Sequence, residues 1–217
     1  MIKKLSDFEK MILLSISFTI ALVALRFLYT NDEQYFFYPW NLFLAIVPYF
    51  FSRQLRNCRK LNMKVILLLL CWLLFLPNAP YLITDLFHFE ERPGVPYWFD
   101  LLIVVSGAWN GAVLGITSLM QVERFLTKHI KTKWMMPATI VLITLCSYGI
   151  YLGRFKRYNS WNVITIPEDV IHTMLSHIAE PWQHMQAWMF TISFAILLNI
   201  IYFTVKKIPV YLKQGSD

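Results

Sequence analysis

Asp85 and His88 stand three residues apart in the run Leu82-Ile83-Thr84-Asp85-Leu86-Phe87-His88. On a continuing helix they share a face, which lets the carboxylate orient the imidazole for base catalysis or metal ligation. A solvated helix end at a membrane surface is the plainer reading of the same spacing. Arg154 and Arg157 are also three apart, and such a fork holds a phosphate or carboxylate, or else pairs with Asp85, Glu90 or Asp100. Ser160 becomes a candidate nucleophile if Asp85 and His88 approach it. His172 and His177 are five apart, point in different directions on a helix, and read as surface histidines rather than co-ligands. Cys58, Cys71 and Cys146 are spaced for neither an extracytoplasmic disulfide nor a metal or redox motif. No nucleotide or zincin motif occurs, so no metal and no cofactor is expected.

These groups sit in a chain of 217 residues that is 57% hydrophobic and 15% charged, with mean hydropathy +0.49, which is a membrane composition. Six stretches are apolar enough to cross a hydrocarbon core, which takes about 20 helical residues. They run 11–29, 36–51, 65–84, 98–120, 135–152 and 186–205, and the connections leave no room for a soluble domain. The expectation is therefore an all-α, polytopic membrane helix bundle forming one transmembrane domain over 1–217. The second stretch is short and contains Pro48, but Tyr35-Phe36-Phe37-Tyr38 before it supplies an interfacial anchor. The first is read as a span rather than a secretory signal, because no small-x-small cleavage site follows it.

Charge placement supports the count. With six crossings, 15 of the 20 Lys and Arg residues fall on the side of the two termini, which the positive-inside rule makes cytoplasmic. The formal net charge of +7 is then an orientation signal and no evidence for nucleic acid. Nine of the 13 acids and four of the five histidines fall on the opposite side, so acid, base or ligand chemistry belongs at the extracytoplasmic face.

The third span carries Pro77 and Pro80, which remove two backbone donors and must break or unwind the helix near its outer end. The freed backbone groups need partners, and Asn78 is placed to be one. Broken spans line polar cavities in some transporters, while a proline kink that serves packing alone is the commoner case. Asp100, in the first turn of the fourth span, suits the helix dipole whatever else it does. Gly107, Gly111 and Gly115 recur every four residues as a ridge for close helix contact. Asn110, beside that ridge, is costly against lipid and should face protein or a cavity. In the last extracytoplasmic loop, Val170, Ile171, Met174, Leu175 and Ile178 gather on one side of a short helix over 167–178, which reads as interfacial.

Several blocks together resemble an uncharacterised family of bacterial multi-pass membrane proteins, domain of unknown function 1361. They are Trp40-Asn41-Leu42-Phe43-Leu44-Ala45 with Pro48; Leu76-Pro77-Asn78-Ala79-Pro80-Tyr81 with Thr84-Asp85 and His88; Trp98-Phe99-Asp100; Gly111 to Gly115 with Ser118-Leu119; and Tyr151-Leu152-Gly153-Arg154-Phe155 with Arg157 and Asn159-Ser160-Trp161. Asn162 stands where the resemblance leads one to expect an acid. The resemblance implies residence in the bacterial cytoplasmic (inner) membrane and carries no activity. It adds a choice of positions: Trp40, Asn41, Asn78, Tyr81, Asp100, Asn110, Arg154, Arg157, Asn159 and Trp161 as ligand-binding candidates.

Three functions compete on these residues. The first is a binding or transport-type protein whose extracytoplasmic polar pocket takes an anionic lipid or small molecule, anchored by Arg154 and Arg157. The second is a membrane-embedded hydrolase or transferase using Asp85, His88 and Ser160. The third is a structural subunit whose polar groups pair with one another. The partner common to all three is the lipid bilayer.

Overall fold

The computed structural model describes residues 5–90 and 94–214, with the side chains of all of these but His88, Val210, Lys213 and Gln214. Lys3, Lys4, Glu91, Arg92 and Asp217 lie outside the described residues. In chain order the helices are α1 (Asp7–Thr30), α2 (Phe37–Gln54), α3 (Met63–Phe75), α4 (Asn78–Tyr81), α5 (Tyr97–Leu126), α6 (Thr132–Phe155), α7 (Asn162–Thr165), α8 (Pro167–Ala179) and α9 (Met185–Gln214), with 3₁₀ segments at Leu55–Asn57 and Leu82–His88. No strand occurs among the described residues, and the all-α class expected from the sequence holds.

Five stretches are long and apolar enough to cross a membrane: Asp7–Thr30, Met63–Phe87, Tyr97–Leu126, Thr132–Phe155 and Met185–Pro209. The expected second span is helical too, at Phe37–Gln54, but it is not one of the five. Its 18 residues include Asn41, Pro48, Arg53 and Gln54, and it buries Tyr38, Leu42, Ala45 and Tyr49 against the protein. The chain divides into two compact units, one ending at Val122 and the next beginning at Glu123.

In the first unit the helix ends are written locally. Ser6 caps α1 by accepting from Glu9 N at 3.3 Å while the Glu9 carboxylate accepts from Ser6 N at 2.8 Å, a reciprocal capping box. Asn31 ends the helix in the left-handed region, φ 59. Asn62 caps α3 through Val65 N at 3.0 Å. The break expected at the two prolines is present: α3 stops at Phe75, α4 resumes at Asn78, and the rest of the segment tightens to 3₁₀. Asn78 Nδ2 donates to Phe75 O at 2.9 Å, so the amide answers one of the carbonyls at the break.

The glycine ridge of α5 is what receives this broken segment. A Cβ built on Gly111 meets Ala79 O at 2.2 Å and Leu82 Cβ at 2.9 Å, and one on Gly107 meets the Tyr38 ring at 2.2 Å. One on Gly115 stands 3.3 Å from Pro80 Cδ. Only glycine lets the backbone of α4 lie this close to α5, which makes the ridge a packing device, as its four-residue spacing suggests.

In the second unit α6 and α9 pack along their length. Ile143, Cys146, Ser147 and Ile150 of α6 are buried, as are Ala187, Thr191, Phe194 and Tyr202 of α9. Small residues at the contact allow close approach without an apolar driving force, which lipid does not supply.

The ridge yields a graded prediction. Gly111→Ala displaces a backbone carbonyl and should destabilise the detergent-solubilised protein by about 1–3 kcal/mol or more. Gly115→Ala faces one ring carbon and should cost less. Thermal unfolding of the two variants checks the order, and equal effects would refute the close contact at Ala79.

Candidate functional site

The most deeply buried cation among the described residues of the first unit lies in the first helix. Arg26 lies in α1 at 2% exposure. Its Nε donates to Asp100 Oδ1 at 2.7 Å, Nη2 to Asp100 Oδ2 at 3.3 Å, and Nη1 to Asp32 Oδ2 at 3.0 Å. Its Cζ also stands 4.9 Å from the Tyr35 ring centroid. Asp100 is itself 2% exposed, so both of its oxygens are committed to a guanidinium of the same unit. The available signal was a cation inside an apolar helix, which must face protein and find a partner.

Deeper along α1 and α5, Asn110 is wholly buried. Its Nδ2 donates to Thr19 Oγ1 and to Ser106 O, both at 2.9 Å, and Thr19 donates to Ser106 Oγ at 3.0 Å. Asn110 thus faces protein, one of the two environments expected for it. A third cluster joins Glu9 to Tyr49 Oη at 3.2 Å and to Arg53 Nη2 at 3.0 Å.

Of the other candidates in this unit, Trp40 is exposed with its ring tilted against Phe43 at a centroid distance of 5.5 Å, and Asn41 is half-buried. Tyr81 is half-buried, and its carbonyl accepts from Thr84 Oγ1 at 2.6 Å. Asp85 is buried in the 3₁₀ segment, where residues three apart eclipse and His88 follows in the same row. The His88 side chain lies outside the described residues. Asp85 belongs to the first unit and Ser160 to the second.

The second unit gathers its polar groups where α6 finishes. Arg154 is half-buried in the last turn of α6, while Lys156, Arg157 and Asn159 are exposed. Arg157 adopts φ 59, so the chain reverses there. Tyr158 then fastens the loop to α8. Its O–H donates to Asp169 Oδ2 at 2.6 Å, a bond that holds the phenol above its ordinary pKa, and it meets Thr173 Oγ1 at 3.0 Å. Asn162 accepts from Asn159 N at 2.6 Å, which supplies the acceptor that an acid would have offered in its place. Ser160 is half-buried and Trp161 exposed.

Residues 40–201 match the family described as protein of unknown function DUF1361. The chain belongs to that family. No curated protein and no solved structure matches it. Within the matched part of this DUF1361 chain, no three His, Cys, Asp or Glu side chains come together among the described residues to hold a metal ion.

The interfacial helix expected over 167–178 is α8, Pro167–Ala179, with Ile171, Leu175 and Ile178 exposed along one side. His172 is exposed as expected. His177 is not: it is wholly buried, which corrects its reading as a surface histidine. The reason is spacing within α8, where His177 stands seven residues after the buried Val170 and so projects from the same face. Its Nδ1 meets Tyr148 Oη at 2.8 Å, its ring centroid lies 4.5 Å from that of His184, and its carbonyl accepts from Trp188 Nε1 at 3.0 Å. Desolvation first, then the nearby His184 and Lys156, hold its pKa below the ordinary imidazole range.

The first unit can be tested at its ion pair. Asp100→Ala leaves a buried guanidinium and should cost roughly 3–5 kcal/mol, whereas Asp32→Ala, whose side chain is 49% exposed, should cost about 1 kcal/mol or less. Adding Arg26→Leu to Asp100→Ala should recover much of the larger loss. A double-mutant cycle read by unfolding checks this, and additive losses would show that the two side chains do not act as a pair.

Proposed function

We propose that this DUF1361 chain is an integral protein of the bacterial cytoplasmic membrane that binds an anionic, lipid-like ligand at the end of the second unit where α6 finishes. The observation that supports it is the pairing of two features on one short stretch. Lys156 and Arg157 are exposed in the loop, and Trp161, Ile164, Ile171, Leu175 and Ile178 follow as exposed apolar side chains on and before α8. An apolar helix face beside cations with no acid partner among the described residues suits the boundary between acyl chains and phosphates, where each Lys or Arg contributes about 1 kcal/mol. Arg154 and Tyr158 position this loop, Arg157 and Asn159 meet the ligand head, and Trp161 lies at headgroup depth. With both termini cytoplasmic and α2 as a sixth crossing, the surface faces outward.

The second reading is a structural subunit. It is favoured by the first unit, where Asp100, Asn110 and Asn78 take partners from their own unit. The two readings assign different work to different units and part on one measurement. Binding of phosphatidylglycerol and of phosphatidylcholine to the purified protein is compared by native mass spectrometry. Arg157→Ala should weaken phosphatidylglycerol binding about fivefold, and adding Lys156→Ala about thirtyfold, with phosphatidylcholine unaffected. A folded double variant that retains phosphatidylglycerol as well as the parent does would rule out the lipid reading and leave the structural one.

A further inference from the structure

His177 is the one fully buried imidazole among the described residues, and its placement makes α8 a helix with a titratable pin. Four groups surround it. From α6, Tyr148 bonds to Nδ1 at 2.8 Å and the Tyr151 ring lies at 5.7 Å. From the turn before α9, the half-buried His184 ring lies at 4.5 Å, and from α9, Trp188 holds the His177 carbonyl at 3.0 Å. Lys156, just past α6, is the nearby full charge. The acids of α8, Glu168 and Asp169, occupy its first turn, with Asp169 bound to Tyr158, and Glu180 is exposed beyond the helix end. The imidazole thus meets two phenols and a second imidazole, with an indole on its carbonyl and Lys156 as the nearby cation, and none of them is a carboxylate.

The two protonation states of His177 differ sharply in such a place. In the neutral ring, the Tyr148–Nδ1 bond is served by either tautomer, and Nε2, which is buried and has no hydrogen-bond partner among the described residues, carries no charge. In the imidazolium, Nε2 carries a charged N–H with nothing to accept it, beside a second imidazole and a lysine. An orphaned charged donor is the costlier of the two.

We infer that His177 is a proton-operated latch that docks α8 on the α6–α9 pair when neutral and releases it when protonated. The consequence for function, pH control of the cationic and apolar surface that α8 carries, rests on the lipid-binding reading above; the latch itself does not. The sign follows from linkage. The docked state resists the proton and the released state does not, so docking is fully present above about pH 6.5 and is lost as pH falls below it.

Amide exchange of residues 168–179, normalised for the intrinsic pH dependence, tests this on the full chain in phosphatidylcholine nanodiscs between pH 7.5 and 5.0. Protection of α8 should fall about tenfold per pH unit once the released state takes up one proton, while α6 and α9 stay protected. His177→Asn should make the protection of α8 independent of pH. His184→Gln, at a half-buried position, removes a neighbour whose charge opposes the proton on docked His177; the docked and released states then differ less in proton affinity, so the loss of protection should be smaller and move to lower pH, which decides the matter if the His177 variant does not fold. Protection of α8 that stays constant over this range, or a His184→Gln transition that does not move downward, overturns the latch. Neither result bears on phosphatidylglycerol binding at pH 7.5, which tests the surface separately.

Discussion

A guanidinium at 2% exposure inside an apolar helix is the constraint on which the first unit turns. Arg26 cannot be neutralised and cannot be left bare, so α1 must lie where Asp100 of α5 reaches it. Once that contact is made, the register of the two helices is set. The next polar positions along them, Thr19 on α1 with Ser106 and Asn110 on α5, then meet as a second clasp. Hydrogen bonds of this kind in a membrane each contribute modestly, about 0.6 kcal/mol on average, so they refine a register more than they create it. The ion pair supplies specificity because any slip of α1 along α5 strands the buried Asp100 carboxylate and leaves Arg26 with only the half-exposed Asp32.

The neighbouring face of α5 carries the glycines, and this division explains how a broken helix is tolerated. Pro77 and Pro80 open the backbone of the third span at a depth where water is scarce. Asn78 closes one carbonyl, and the approach of Ala79 O to Gly111 packs the kink directly on a smooth strip of helix. One helix therefore presents polar groups to α1 and bare backbone to α4 and Tyr38. Neither face works with the residues of the other, since a serine hydroxyl cannot substitute for missing volume at Gly111 and a glycine cannot hold Thr19.

Features that depend on local chemistry were legible in the sequence. The proline break, the ridge at Gly107, Gly111 and Gly115, and the short helix at Pro167–Ala179 all follow from residue types at short spacing. What failed to show depends on which face of an element meets the protein. His177 reads as exposed until Val170 is known to be buried, because only the contact face reveals that the two project together. Arg26 reads as one more outer cation because counting charges by side ignores depth. The second span divides the same way: a helix over 36–51 is expected and one over Phe37–Gln54 is observed, but Asn41 and Arg53 dilute its apolarity, so length and composition alone do not make it a crossing.

The same division between buried and exposed charge bears on the proposed lipid-binding reading. In the described part of the first unit, Glu9, Arg26 and Asp100 each have a carboxylate or guanidinium partner, and in the second unit Glu123 is held by Tyr202 and Lys206. A buried ion pair of this type is expensive to form and more expensive to open, so a ligand that had to displace Arg26 from Asp100 would spend its own binding energy on the separation. Lys156 and Arg157 impose no such cost, because they are hydrated already and an arriving phosphate need only exchange water and counterions. An anionic ligand therefore meets far less resistance at the exposed loop than at the ion-paired interior.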